Sequence, residues 1–126
     1  MRQPPEPHAP ADSLDRLQER LRQFAQARDW EQFHTPKNLA MALIAEAAEL
    51  VEHFQWLTPE QSQSLPPDKL EEVATELADI LIYTVRAADR LGIDLIAAAG
   101  RKMDLNERRY PADQVRGDAR RASEYK

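Results

Sequence analysis

Two pairs of carboxylates stand three residues apart: Glu46 and Glu49 in EAAELVE, then Glu76 and Asp79 in ELAD. On a helix, residues at that spacing lie on one side, one above the other. At about 100° per residue, Leu39, Leu43, Leu50 and Phe54 form one stripe, and Glu46 falls inside it. Glu49 sits at the margin of the stripe and Glu52 points further out. A carboxylate within an apolar stripe is costly unless something pairs with it. The same wheel over the second run puts Leu70, Leu77, Leu81, Thr84 and Ala88 on one face. Glu76, Asp79 and Tyr83 lie on the other, flanked by Ile80 and Ile82. Alone, that line reads as a solvated face. A helix apolar on nearly all sides is buried on more than one, which makes the acidic line inward or subunit-facing.

Across adjacent helices the two pairs set four negative charges against one another. Such a cluster repels strongly in a low dielectric, and no Lys or Arg lies between Asn38 and Leu65 to offset it. A divalent cation held by Glu46, Glu49, Glu76 and Asp79 resolves the repulsion. Oxygen ligands without His favour Mg²⁺, with Mn²⁺ as a substitute. A di-iron site would use Glu-x-x-His on two bundle helices. The only such spacing here is Glu31–His34, ahead of the second helix.

The elements that must position these groups are helical. Val, Ile and Thr together supply 13 of the 126 residues, while Ala and Leu abound, a balance that favours helix. Punctuation divides the chain into four helices, at about 12–28, 36–57, 68–91 and 94–108. Asp12 or Ser13 caps the first. Thr35 and Pro36 make an N-cap and first position for the second. Asp68 with Glu71 resembles a capping box for the third, and Gly92 closes it. TPEQSQSLPP, 58–67, is a polar loop. The expected fold class is all-α, of four-helix-bundle type. Domain organisation is expected as a disordered segment 1–11, one domain over 12–111 and a flexible tail 112–126.

Composition narrows the function. No apolar run approaches the ~18 residues of a membrane span, and MRQPPEPHAPA lacks the apolar core of a secretory signal. The chain has no cysteine, which excludes disulfides and thiol chemistry. A cytoplasmic protein is expected. The net charge of −5 argues against a nucleic acid polymer as partner. Charge is uneven: residues 1–100 carry 9 Lys/Arg against 17 Asp/Glu, and 101–126 carry 8 against 5. An acidic body could hold cations and a basic end an anion.

Three stretches then carry a resemblance. DWEQFHTPKNLAMALIAEAAELVEHFQW, TELADILIYTVRAADRLGIDL and KMDLNERRYP, in that order within about 24–111, resemble the MazG-like all-α nucleoside triphosphate pyrophosphohydrolase family. Its signature is E-x-x-E, a loop, then E-x-x-D. The resemblance implies Mg²⁺-dependent hydrolysis of a (deoxy)nucleoside triphosphate, dCTP or a modified dCTP, to the monophosphate and pyrophosphate. It implies Glu46, Glu49, Glu76 and Asp79 as metal ligands. Glu49, where water can reach, is the expected catalytic base. Lys102, Asn106 and Arg109 share one helix face; by resemblance Lys102 contacts phosphate, Asn106 the nucleotide, and Arg109 either joins them or is an end-of-helix charge. Trp30, Trp56 and Tyr83 are expected to line the base pocket. Leu21 stands where the family has a pocket His, so base preference stays open. The family forms homotetramers, as dimers of dimers, with sites between subunits. Two alternatives remain: a broad house-cleaning or phosphoribosyl-ATP-type pyrophosphohydrolase, or a non-catalytic helical interaction module.

Overall fold

The structure is a computed structural model that describes residues 13–120 and 122–124. The segment 1–11 expected to be disordered lies outside them. The described residues form helices and turns: α1 (Leu14–Ala27), α2 (Pro36–Glu52), α3 (Pro59–Ser62), α4 (Pro67–Leu91), α5 (Leu95–Arg109) and α6 (Ala112–Val115), with short 3-10 segments at Glu31–Phe33 and Ala122–Glu124. They fall into two compact units, the first ending at Ile93 and the second beginning at Asp94. No helix among them is long and apolar enough to cross a membrane.

The four long helices are those expected from the sequence, and two of their ends, together with the loop between them, differ in ways with a local cause. Ser13 caps α1 through its side chain, and Thr35 caps α2 ahead of Pro36. α2 stops at Glu52, five residues before the expected end at 57. There the backbone tightens into turn bonds, His53 N–H to Leu50 and Leu57 N–H to Phe54. The expected loop 58–67 holds α3, where Thr58 and Gln61 form a reciprocal capping box. The box expected at Asp68 and Glu71 does not form. Pro66 precedes the helix without a side-chain cap, and Pro67 at the first position already has the helical φ.

In the first unit α2 and α4 pack as a hairpin, with α1 also against α4. Contacts give the direction: His34, just ahead of α2, meets Arg86, whereas His53, just past it, approaches Glu72 and Glu76. The pair is therefore antiparallel. Its buried apolar centre is small, comprising Ala25, Leu39, Val73, Val85 and Ala88. Asp89 ties α1 to α4 by accepting from Gln18 and Arg22. Arg22 holds the Asp89 carboxyl below the usual range, against the opposing effect of burial.

The Leu70, Leu77 and Leu81 face of α4 is exposed, as are Met41, Ile44 and Val51 on α2. The side of α4 turned toward α2 carries Glu76, Asp79 and Tyr83, all half-buried. Among the described residues, the leucine line thus has no cover.

Two left-handed residues end helices and set the turns that follow. Gly92, with φ 68, closes α4 as expected, and Ile93 N–H reaches back to Ala88. Asp29, with φ 53, does the same for α1: Trp30 N–H donates to Ala25 at 2.9 Å and Asp29 N–H to Gln26 at 3.1 Å. Aspartate tolerates this conformation better than most side chains. The turn fixes where Trp30 leaves α1.

Candidate functional site

Glu46 and Glu49 come from successive turns of α2, and Glu76 from α4 opposite. One carboxylate oxygen from each lies within 4.8 Å of the others. Glu46 and Glu76 are half-buried and Glu49 is exposed. Oε2 of Glu46 and Oε2 of Glu76 are each buried with no hydrogen bond. The Glu46 carboxyl is pushed up to about 7, first by sharing a proton with Glu49, then with Glu76, then by burial and the charges of Glu49 and Asp79. Orphaned buried oxygens and a carboxyl forced toward protonation indicate a site short of positive charge. Its donors are all hard oxygens, a set that fits a divalent cation such as Mg²⁺ or Mn²⁺. The nearest base is His53, 3.7 Å from Glu76 and 3.7 Å from Glu72, too far for a hydrogen bond to either.

Asp79, the expected fourth ligand, lies outside this three-carboxylate group. One turn further along α4, it lines a cavity of about 380 Å³. Its charge still acts on Glu46, so the acidic centre and the cavity adjoin. Leu21 and Phe24 of α1, Trp30, His34 and Tyr83 are also on the cavity wall. Phe24 meets Trp30 edge-on at 5.7 Å, and Trp30 meets His34 edge-on at 6.3 Å. Two of the three expected aromatics, Trp30 and Tyr83, are thus brought together with Leu21. Trp56 is not: it lies in the turn after α2, 86% exposed.

Lys102, Asn106 and Arg109 lie on α5 in the second unit at the expected helical spacing, Lys102 and Arg109 exposed and Asn106 half-buried.

Sequence reasoning missed Arg86 and gave His34 no role. Arg86 is 3% exposed, a buried cation on the cavity wall. Its Nε donates to His34 Nδ1 at 3.2 Å and its Nη1 to Asp89 at 3.2 Å, and Nη2 stands 3.6 Å from Glu31. Burial, then the charges of Arg86 and Arg90, hold His34 below the usual histidine range. A signal was available: Arg86 follows Asp79 by seven residues and Tyr83 by three, on the same face of α4.

The fold and site define a class: an all-α protein whose antiparallel helix pair carries an acidic centre beside an aromatic cavity. The chain belongs to the MazG-like family, which its residues 42–124 match. It is 42% identical over 118 residues to dCTP pyrophosphatase 1 of Homo sapiens, spanning 92% of this chain and 69% of that protein. To dCTP pyrophosphatase 1 of Bos taurus it is 48% identical over 99 residues, 77% of this chain and 59% of that one. The chain thus spans about three fifths to two thirds of the length of these relatives. The crystal structure of a pyrophosphatase from Archaeoglobus fulgidus is similar with a TM-score of 0.74 and 41% identity, over 78% of this chain and 92% of that one.

Proposed function

We propose that this chain hydrolyses dCTP, or a modified dCTP, to the monophosphate and pyrophosphate, with Mg²⁺ bound at the acidic centre and the base in the aromatic cavity. That it is an enzyme of the nucleoside triphosphate pyrophosphohydrolase class rests on family membership and on identities of 42–48% to dCTP pyrophosphatases. The observation that carries the finer reading is the convergence of Glu46, Glu49 and Glu76, with buried orphan oxygens, next to the cavity.

Glu46, Glu49 and Glu76 hold the metal, and Asp79 joins them from the cavity side. When bound, Mg²⁺ supplies Lewis acidity at phosphate oxygens and lowers the pKa of water. Glu49, the exposed carboxylate, accepts the proton of the attacking water. Trp30 and Tyr83 hold the base; a cavity of about 380 Å³ falls within the usual size of small-molecule sites. Lys102 binds phosphate, Asn106 the nucleotide, and Arg109 adds positive charge.

The assembly is a homotetramer, a dimer of dimers, acting in the cytoplasm. Support for assembly comes from the uncovered apolar faces of α4 and α2, with Ile44 67% exposed. Trp56, clear of its own chain's cavity, then meets the base across a subunit boundary. A second reading, broader action on modified nucleotides, is favoured by Leu21, which places an apolar group on the cavity wall.

The test is product analysis over a panel of deoxynucleoside triphosphates with Mg²⁺. Pyrophosphate is expected, fastest from dCTP or its 5-modified forms. Orthophosphate as the first product from every substrate would reject the function.

A further inference from the structure

The end of α2 sets a histidine beside the acidic centre. His53 caps that helix, its backbone N–H donating to Leu50 at 3.2 Å, and its half-buried ring meets side chains of α4. Its Nδ1 stands 3.4 Å from Lys69 Nζ, and Lys69 is anchored by Glu72 at 3.1 Å. An ammonium donates hydrogen bonds and accepts none. Nδ1 is therefore the acceptor, and the single proton of the neutral ring sits on Nε2. Nε2 stands 3.7 Å from Oε1 of Glu76, about half an ångström beyond hydrogen-bond range. The two oxygens of Glu76 thus differ: Oε1 faces a donor group of the protein, and Oε2 is buried with no hydrogen bond. Among the described residues no other basic side chain pairs with Glu46, Glu49 or Glu76.

We propose that His53 is a positioning residue of the acidic centre: its Nε2–H holds Oε1 of Glu76 and leaves Oε2 for a divalent cation, while Lys69, fixed by Glu72, keeps the ring in the tautomer that can do so. The inference rests on the reading of Glu46, Glu49 and Glu76 as a metal site. A small turn of the glutamate side chain closes the remaining gap. A ligand already oriented by a neighbour loses less freedom when the cation binds than one that is not. His53 acts through Glu76, so its contribution falls on metal affinity.

Calorimetric titration of Mg²⁺ into wild type, His53→Leu, His53→Gln and Lys69→Met reads that affinity without turnover. Leucine fills the space and donates nothing. Mg²⁺ should bind it about tenfold more weakly, the lower end of the range for losing a group that orients a metal ligand. Glutamine carries an N–H near the place of Nε2 and should recover most of the affinity. In Lys69→Met, positioning and charge predict opposite signs. Removing a positive charge beside an acidic centre should by itself tighten Mg²⁺ binding. Positioning predicts weaker binding: without Lys69 a proton on Nδ1 can turn to Glu72, 3.7 Å away, and Nε2 then meets Glu76 as a lone pair. The Mg²⁺ concentration for half-maximal pyrophosphate release should rise in step with each Kd. Unchanged affinity in His53→Leu, no recovery in His53→Gln, or tighter binding in Lys69→Met overturns the assignment. ¹⁵N NMR of the wild type in EDTA, with the ring neutral, tests the tautomer without a variant that must fold. His53 should show an unprotonated Nδ1 and a protonated Nε2, and the reverse rejects the proposal. A wild type that binds no Mg²⁺ sinks the metal reading and this inference together. A wild type that binds it, with variants of equal affinity, sinks this inference alone.

Discussion

The acidic centre and the aromatic cavity share α4 and treat buried charge in opposite ways. At the centre, Glu46, Glu49 and Glu76 crowd together, and two buried oxygens have no donor. In the cavity wall, a buried cation has its charge balanced within the chain: Arg86 donates to His34 and Asp89, and its Nη2, buried without a hydrogen bond, stands 3.6 Å from the Glu31 carboxylate. Arg22 and Gln18 then brace Asp89 from α1. Charge left uncompensated inside a fold costs stability and persists when something outside the chain supplies the balance. Charge compensated within the chain holds geometry. On the proposed function, the first region receives a ligand, and the second holds its shape before one arrives.

Substituting one residue on each side should separate the two kinds of site. Glu46→Gln removes one like charge at nearly constant volume. Activity should fall by more than about a hundredfold, on the scale of losing an electrostatic element of the transition state, while the metal-free variant is at least as stable as metal-free wild type. Mg²⁺ at a hundredfold excess over its Kd should stabilise the wild type by about 2.7 kcal/mol and the variant by much less. Thermal melts in EDTA and in Mg²⁺ measure this, and a variant melting several degrees lower in EDTA would break the contrast. Arg86→Met should behave in the reverse way. Removing one partner from a buried charge cluster costs about 3 kcal/mol, with or without metal. Urea titrations in both conditions check it; a loss seen only with Mg²⁺ would place Arg86 in the metal site instead.

How far the sequence foretold this differs between the regions for a physical reason. The carboxylates were legible because a charge inside an apolar stripe of period 3.6 is anomalous whatever the tertiary structure, and Glu46 stands in such a stripe. Gly92 and the Thr35–Pro36 cap were legible because they act on their own backbone. Arg86 was legible only in part: its spacing puts it on the α4 face of Asp79 and Tyr83, but its partner His34 is 52 residues away, and no local pattern joins the two. Asp29 was missed because glycine is the usual left-handed terminator and aspartate fills the place only when the turn is supported by neighbours. Because α2 ends at Glu52, Trp56 stands in the turn beyond it and not within the helix expected over 36–57. The leucine face of α4 read as an apolar face and is exposed among the described residues, because periodicity marks a face that wants burial and does not say by what.

Smaller effects sharpen the comparison on the cavity side. Trp30→Ala removes an aromatic face from the wall and should raise KM for dCTP, with a lost stack of roughly 1–3 kcal/mol. Trp56→Ala should do the same only if the site is shared between subunits. Steady-state kinetics on both variants, with sedimentation to read their assembly, distinguishes the cases. A Trp56 effect that persists in a variant shown to be monomeric would place that residue within its own chain's site.

The smallest expected effect is in the pH dependence of stability, and here the two regions should oppose each other. Glu46 is raised from 4.5 to about 7 in the folded chain. Between those values the folded state holds the extra proton, so this contribution is fully present below about 4.5 and is lost as pH rises through about 7. His34 is lowered from 6.5. There the unfolded chain takes the proton first, so the contribution is present above about 6.5 and lost as pH falls toward the folded value. In EDTA, wild type should therefore lose stability relative to Glu46→Gln as pH climbs from 4.5 to 7. Relative to His34→Phe it should lose stability as pH drops below 6.5. Mg²⁺ reverses only the first trend, because its ligands must be deprotonated and its binding strengthens as they lose their protons. Denaturant midpoints at half-unit pH steps, with and without metal, give both differences. A flat difference between wild type and Glu46→Gln in EDTA would show that the three carboxylates do not press on one another, and the acidic centre would then be an ordinary wet face.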